Sequence, residues 1–429
     1  MKRKILAVVL ACVMVLSLAA CGGGSGSGGS SSSGGDGVHI TIFNSKSEIQ
    51  DQFEELADTY SDTHEGVSIE VYYSSDTVSA HLATKYASND PYTISMVDPK
   101  DVYSLGAEHA LDLSDQDWVS HTNYAISVDD KVVGFPFCIE ARGLMYNKDA
   151  IKNITGKDFD PATCQTLDDF KAVLEELKKG GMESPVGIMK EDWSLAAHYF
   201  QEIYEMQPDP EAFVQSLYAG KADLVNNVKF NDMMDTFDVL KENNYAKASP
   251  VAAEREVSEQ KLAEGEIAFM FGGNWDWSLL KDYNEEANLG LMPVPQNTDD
   301  GTNTKIVGGG SKYFFIDSSD AFSEEQIAAA KDFLNWLVSD PDGNAFLTEK
   351  CAVVPAYDNI DASALDPLSI SVKEFADGQL MIDNYNYDPD DHYSVVGASM
   401  QKYLADETDR AGLAGEVEKY WSSTTPVEH

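Results

Sequence analysis

Between residues 39 and 109 the chain alternates strand and helix three times, an order that leaves few folds open. Residues 39–43 (HITIF) are a run of β-formers, after which Ile49, Phe53, Leu56, Ala57 and Tyr60 recur at helical spacing. Residues 67–73 (VSIEVYY) alternate as a second strand, and 77–88 form a weaker helix. Residues 92–97 (YTISMV) are a third strand and 101–109 a third helix. Strands joined through helices lie parallel, and a parallel sheet is covered on both faces. In such sheets ligands bind beyond the carboxyl ends of the strands. Asn44 and Lys46 follow the first strand and Asp98 the third, which makes them candidate binding residues. The competing reading is plain turn chemistry, since Asn, Ser and Asp are common turn formers.

The N-terminus speaks to location. A basic start at residues 1–4 precedes an apolar run at 5–20, too short for a membrane helix, which needs about 20 residues. This is the pattern of a signal peptide over residues 1–20. It ends Leu18-Ala19-Ala20-Cys21, which resembles the bacterial lipobox and implies cleavage before Cys21 and a lipid on its sulfur. Glycine and serine fill residues 22–37 apart from one aspartate, a tether whose r.m.s. reach is roughly 20–24 Å. Residues 21–37 thus read as an anchor and leash holding a folded body at the outer face of a membrane. With 429 residues the chain has room for two full cores. Its net charge of −43 repels nucleic acid phosphates and anionic headgroups, arguing against a DNA or RNA role. That charge suits cationic ligands, and equally a solvated acidic surface. Once Cys12 has left with the leader and Cys21 is lipidated, Cys138, Cys164 and Cys351 remain, widely spaced and best read as buried thiols.

Residues 134–148 (GFPFCIEARGLMYNK) carry Glu140 and Arg142 inside an apolar extended run, where burying a charge is costly. Two readings stand: a structural ion pair, or a strand that crosses between two lobes and shows its charges to a cleft. Residues 149–165 read as loop. Thr166–Asp169 has the form of a capping box, opening a helix that Gly180-Gly181 closes. Glu191 and Trp193 stand just past a short strand at 184–189, a poor place for core residues and a good one for ligand contact. In residues 265–277 (GEIAFMFGGNWDW) a buried strand meets a Gly-Gly turn, which sets Trp275 at the lip and leaves Trp277 to the core. Residues 306–316 are another strand, and Gly309 in its triple glycine permits close backbone approach or simply a bend. Tyr385, Tyr387 and Tyr393 cluster near the end.

No phosphate-binding loop, dinucleotide fingerprint, serine-hydrolase elbow or HExxH is present, and no histidines sit at metal-ligand spacing. Residues 384–390 mimic the odd positions of a calcium loop, but Pro389 and Val395 occupy places that need glycine and glutamate. No metal or cofactor is therefore expected. What remains is recognition chemistry: aromatic rings with carboxylates and amides at strand ends. Sugars are held by that mixture, through C–H faces on rings and hydroxyls on polar groups. A polyamine would be held by a similar set.

The ordered motifs Phe135-Pro136 with Glu140, Gly143–Lys148, Thr166–Phe170, Gly265–Trp275, Pro293-Val294-Pro295 and Gly308–Gly310 resemble those of the extracellular solute-binding proteins of carbohydrate ABC importers, the family that includes maltose-binding protein. The resemblance implies an α/β, two-lobed periplasmic-binding-protein-like fold of type II, with residues 38–138 and 306–352 in one lobe and 139–305 and 353–429 in the other. It implies a sugar site at Asn44, Lys46, Asp98, Glu140, Arg142, Glu191, Trp193, Trp275, Gly309 and Tyr385. Arg142 departs from the apolar residue common in the family, and Tyr385 stands where the family often has tryptophan. The implied protein is a lipid-anchored monomer on the extracellular face of the cytoplasmic membrane of a Gram-positive cell. It would bind an oligosaccharide and deliver it to permease subunits without catalysis. The alternatives are a binder of a cationic solute such as a polyamine, and a surface-anchored glycosidase, which needs two carboxyls at a set separation.

Overall fold

The computed structural model describes residues 37–427. The signal peptide, Cys21 and the tether as far as residue 36 lie outside the described residues.

Strand β1 (Val38–Asn44) runs parallel to β2 (Val67–Tyr73), from Val38 opposite Val67 to Asn44 opposite Tyr73. On its other side lies β3 (Ile94–Val97), also parallel. Helices α1 (Gln50–Thr63), α2 (Val78–Ala87) and α3 (Pro99–His109) intervene, as the alternation predicts. α1 buries Phe53, Leu56, Ala57 and Tyr60, the stripe whose spacing announces it. α3 begins earlier than expected because Pro99 takes its first position, where a fixed φ is an advantage and a missing N–H costs nothing.

The sheet continues through β4 (Ile126–Val128), β5 (Lys131–Asn147), β6 (Val186–Gly187), β7 (Phe269–Gly273), β8 (Leu289–Met292), β9 (Ile306–Ile316) and β10 (Met381–Ile382). Its main path is β2-β1-β3-β9-β5-β7-β6, with β4 and β8 on β5 and β10 on β9. Two long strands hold this path together. β9 pairs antiparallel with β3 at one end and with β5 along its length. β5 then continues against β7 and β8. The result is one curled sheet with β1–β3 at one end and β6–β8 at the other. The stretch at 134–148 is thus a crossing strand. Its register against β9 slips between Pro136 and Ile139, where proline offers no N–H to the ladder.

Helices Leu167–Lys179 and Ser323-capped Glu324–Ser339 both open with the capping boxes their sequences spell, Thr166 with Asp169 and Ser323 with Gln326. Glu324–Ser339 packs on β1, whereas the C-terminal helices His392–Leu404 and Arg410–Ser423 pack on each other, the first also on Ser194–Phe200 and the second on Pro210–Tyr218. Residues 149–165 are not all loop: Lys148–Thr155 is a helix. Asn147 caps it by accepting from the Ala150 N–H, and Gly156 ends it in the left-handed region. Cys138, Cys164 and Cys351 are free and buried, as expected. Trp277 packs against the core.

Gly143 shows why the middle of β5 tolerates so little. A Cβ there would stand 2.2 Å from the Met292 carbonyl oxygen, a backbone atom that cannot swing aside. Gly143→Ala should therefore part β5 from β8 and lower stability by roughly 1–3 kcal/mol. Urea unfolding checks this: a lower midpoint at unchanged slope is expected, and an unchanged midpoint would show that the strands accommodate the methyl group.

Candidate functional site

A cavity of about 540 Å³ opens where the carboxyl ends of β1, β2 and β3 face the other end of the sheet. Ser45, Asp76–Ser79 and Asp98–Asp101 supply one wall, one group after each parallel strand. The opposite wall comes from Arg142, from His198, Gln201 and Glu205, and from the segment Asn384–Asp390. Lys312 of β9 lies between them.

Arg142 organises the second wall. Its Nε donates to the His198 carbonyl (3.1 Å), one terminal nitrogen to Asn384 Oδ1 (2.9 Å) and the other to the Glu205 carboxylate. Glu205 also accepts the Tyr385 backbone N–H at 3.0 Å, which ties the 384–390 segment to the same ion pair. His198 and Gln201 reach the cavity because Ser194–Phe200 is π-helical, with the Gln201 N–H on the Ala196 carbonyl at 2.9 Å. Such widened turns re-aim side chains and recur at functional sites. Burial, then Arg142 and Arg255, hold His198 well below its usual range, so it is a neutral ring.

A second arginine lies behind this wall. Arg255 pairs with Glu259 (2.8 Å) and Asp276, and its guanidinium stacks 4.8 Å from the Trp193 ring. Asp276 accepts the Gly273 N–H and so fixes the Gly-Gly turn. A Cβ on Gly273 would collide with the Trp275 ring at 2.3 Å, so only glycine lets that ring lie over the turn. Trp193 and Trp275 flank His198, with centroids 5.2 and 4.8 Å away. The two tryptophans border the cavity through this histidine rather than lining it themselves.

Of the candidate residues, Asp98, Arg142 and Tyr385 line the cavity. Asp98 accepts from Lys312 at 2.5 Å. The Tyr385 hydroxyl donates to Glu211 at 3.3 Å, and its ring meets Tyr387 edge-on. Gly309 lies opposite Glu140 in the ladder and 3.8 Å, at its would-be Cβ, from the Asn384 amide. Lys46 and Glu140 sit just off the wall as an ion pair of 2.7 Å, with Glu48 the second partner of Lys46 at 2.6 Å. Burial opposes the charge on Glu140, but Lys46 outweighs it and holds the carboxyl below its usual range. Asn44 is fully buried, and its amide serves the loop: Nδ2 donates to the Lys46 carbonyl and to Gln50, and Oδ1 accepts the Lys46 N–H. Glu191 lies beside Arg255, with Oε2 buried and without a hydrogen bond.

Sequence reasoning missed His198, Gln201, Glu205, Asp101, Asp388 and Arg255. A signal existed for the first three: at three- and four-residue spacing they form a polar stripe on an otherwise apolar helix. Among the described residues no group of His, Cys, Asp or Glu is placed to hold a metal ion.

A family model described as bacterial extracellular solute-binding protein matches residues 55–371. No curated protein matches. Among solved structures, the apo form of RafE from Streptococcus pneumoniae has a TM-score of 0.72 at 16% identity, covering 91% of this chain and 98% of its own. RafE in complex with raffinose scores 0.71 at 17% identity, covering 90% and 99%. A sugar transporter from Bacillus licheniformis in complex with stachyose scores 0.66 at 20% identity, also covering 90% and 99%. Likeness at these identities carries the fold, which is that of the two-lobed solute-binding proteins.

One carboxyl behind the second wall is open to direct test. Glu202 is buried, and the nearest Arg142 nitrogen is 3.7 Å away, too far to hydrogen-bond. Burial raises its pKa from the ordinary 4.5 to about 8, against the pull of Arg142. A carboxyl raised on folding binds its proton more tightly in the folded state, so its cost to stability is absent below pH 4.5 and grows as pH rises towards 8. Glu202→Gln removes that cost. Thermal unfolding should show little change at pH 4 and a gain of roughly 1–3 kcal/mol at pH 8.5. A loss at pH 8.5 would mean that Glu202 is needed as an anion.

Proposed function

Because the chain belongs to the bacterial extracellular solute-binding proteins, with residues 55–371 matching that family, we propose that it is a sugar-binding receptor that delivers an oligosaccharide to an ABC importer. The observation that carries this reading is the cavity wall: hydrogen-bonding side chains after every parallel strand, faced by Tyr385 and by the Trp193–His198–Trp275 group. Rings offer faces to sugar C–H groups, and the polar wall offers partners to hydroxyls. RafE and the Bacillus licheniformis protein, whose structures hold raffinose and stachyose, share the fold. The sugar contacts proposed are Asp98, Arg142 and Tyr385 on the wall, with Trp275, Trp193, Glu140, Lys46, Glu191, Gly309 and Asn44 around it.

The lobes in this proposal are residues 38–138 with 306–352, and 139–305 with 353–429. They close about β5 and β9 and bury the solute, and the closed form is what the permease recognises. Contacts across the mouth support closure: Lys100 of α3 meets Asp390 at 2.5 Å, and Tyr103 meets Tyr387 with centroids 5.8 Å apart. A lipid on Cys21 and the tether of residues 22–37 keep the receptor, a monomer, at the outer face of the membrane. The protein performs no catalysis in this scheme. A cationic solute is the second reading, favoured by the surplus of carboxylates on the wall.

A thermal-shift screen of mono- and oligosaccharides, with spermidine and putrescine included, tests the proposal. A ligand at 100 times its Kd should add about 2.7 kcal/mol, a shift of a few degrees. Stabilisation by a sugar that is recovered intact is the expected result; stabilisation by polyamines alone would replace sugar with cation. Trp275→Ala should weaken the sugar at least tenfold without unfolding the protein, measured by calorimetry. Unchanged affinity would remove Trp275 from the site.

A further inference from the structure

The charges on the cavity wall do not balance. Its three cations are all engaged: Lys312 with Asp98, Lys100 with Asp390, and Arg142 with Glu205. Of the remaining carboxylates Asp76 is exposed to solvent, and Asp101 and Asp388 are left without a cation of their own. Asp101 is 3% exposed, and its Oδ2 is buried with no hydrogen-bond partner. Asp388 accepts from Gln201 through Oδ2 at 2.6 Å, but its Oδ1 is buried and unpartnered. Gln201, also 3% exposed, spends its amide nitrogen on Asp388 and the Tyr385 carbonyl, and its Oε1 has no partner. All three residues line the cavity, as do Ser45 and His198, whose Oγ and Nδ1 are also buried without a partner; of these orphaned atoms the two carboxylate oxygens are the ones that carry charge.

An orphaned buried acceptor calls for a donor. A sugar hydroxyl donates once and carries no charge, and the cationic groups that could offset the carboxylates are already taken by other acids. An ammonium group brings three donors, no lone pairs and a positive charge. It therefore meets every requirement that the orphaned oxygens impose, and its hydrogen bonds to carboxylates are of the strong, charge-assisted kind.

Resting on the reading of this protein as a sugar receptor, we propose that its solute is a basic saccharide, a sugar or oligosaccharide with unacylated amino groups that Asp101 and Asp388 take up. Asp101 stands on α3 at one wall and Asp388 in the 384–390 segment of the other. A solute with amines at both places would be gripped from both sides, and neutral sugars of the same size would leave two buried carboxylates unmatched.

The ligand-free protein shows what the ammonium replaces. Burial and then Asp98 push Asp101 up to about 6, with Lys100 and Lys312 pulling the other way. Burial and then Glu205 push Asp388 well above the usual carboxylate range, against Gln201, Lys100 and Arg142. Below about pH 6 a proton on Asp101 therefore competes with the ligand's charge. Binding of a cation favours the ionised carboxylates, so protons leave as it binds, and affinity rises as pH rises through 6.

Calorimetry on the purified protein decides the matter, with glucosamine oligomers of two to four units, their N-acetylated counterparts and spermidine as probes. The expected result is at least tenfold tighter binding of the unacylated oligomers, affinity that rises about tenfold from pH 5 to pH 7, and a binding heat that depends on the buffer's ionisation heat. Asp388→Asn should erase most of the preference; should that variant fail to fold, the comparison of acylated with unacylated sugars in the unaltered protein stands by itself. Equal or tighter binding of N-acetylated sugars overturns the amine proposal and leaves the receptor reading intact. Binding of spermidine with no sugar bound overturns both. Binding of none of these probes overturns the amine proposal, while the wider sugar screen decides the receptor reading independently.

Discussion

A strand that crosses the middle of this molecule carries two opposite charges two residues apart, on one face, and they do not neutralise each other. Glu140 turns to Lys46, in the loop after β1, and Arg142 turns to Glu205, in the helical segment of the other half. A buried charge without a partner is far more costly than a paired one, so each ion pair fixes the position of a distant segment. Lys46 brings the end of the parallel strands up to β5. Arg142 draws in Glu205, the His198 carbonyl and Asn384, and with them the opposite wall. The cavity is the space left between two walls pinned to the same strand.

The charged pairs answer a question that the residues of β5 leave open. Glu140 and Arg142 are a structural device, and Arg142 lines the cavity as well, because a crossing strand is where both walls must be fastened. Arg255 repeats the device one layer back, where it stacks on Trp193 and holds the turn beneath Trp275 through Asp276. The aromatic group thus depends on an arginine that contributes nothing to the cavity surface. Polar clusters of this sort specify geometry, since their hydrogen bonds are directional where apolar contacts are not.

What could be read from the chain followed from local chemistry. The three parallel strands, the two capping boxes, the crossing strand and the loops after β1 and β3 all depend on spacing and on residue types within a few positions. Asp98 and Arg142, which line the cavity, are candidates on that ground. The helix Lys148–Thr155 could not be read in that way, because its start depends on the Asn147 side chain turning back on the Ala150 N–H at the end of a strand. Asp388 was missed for a different reason: it stands in a long irregular segment with no period to recognise, and only the fold brings it to Gln201 and the stripe that Gln201 shares with Glu205. Arg255 looks like any helix-surface arginine until Glu259, Asp276 and Trp193 close around it.

The sheet also dictates an order of assembly. β3 has an exposed edge until β9 arrives, and Ile94 must wait for Ile316 before their pairing can form. The N-terminal third of the chain therefore cannot finish its own sheet while it is being synthesised. Loop closure over such a separation is entropically costly and slows folding, and unpaired edges of apolar strands are prone to aggregate meanwhile. A chain built like this gains from staying unfolded until all of it is present.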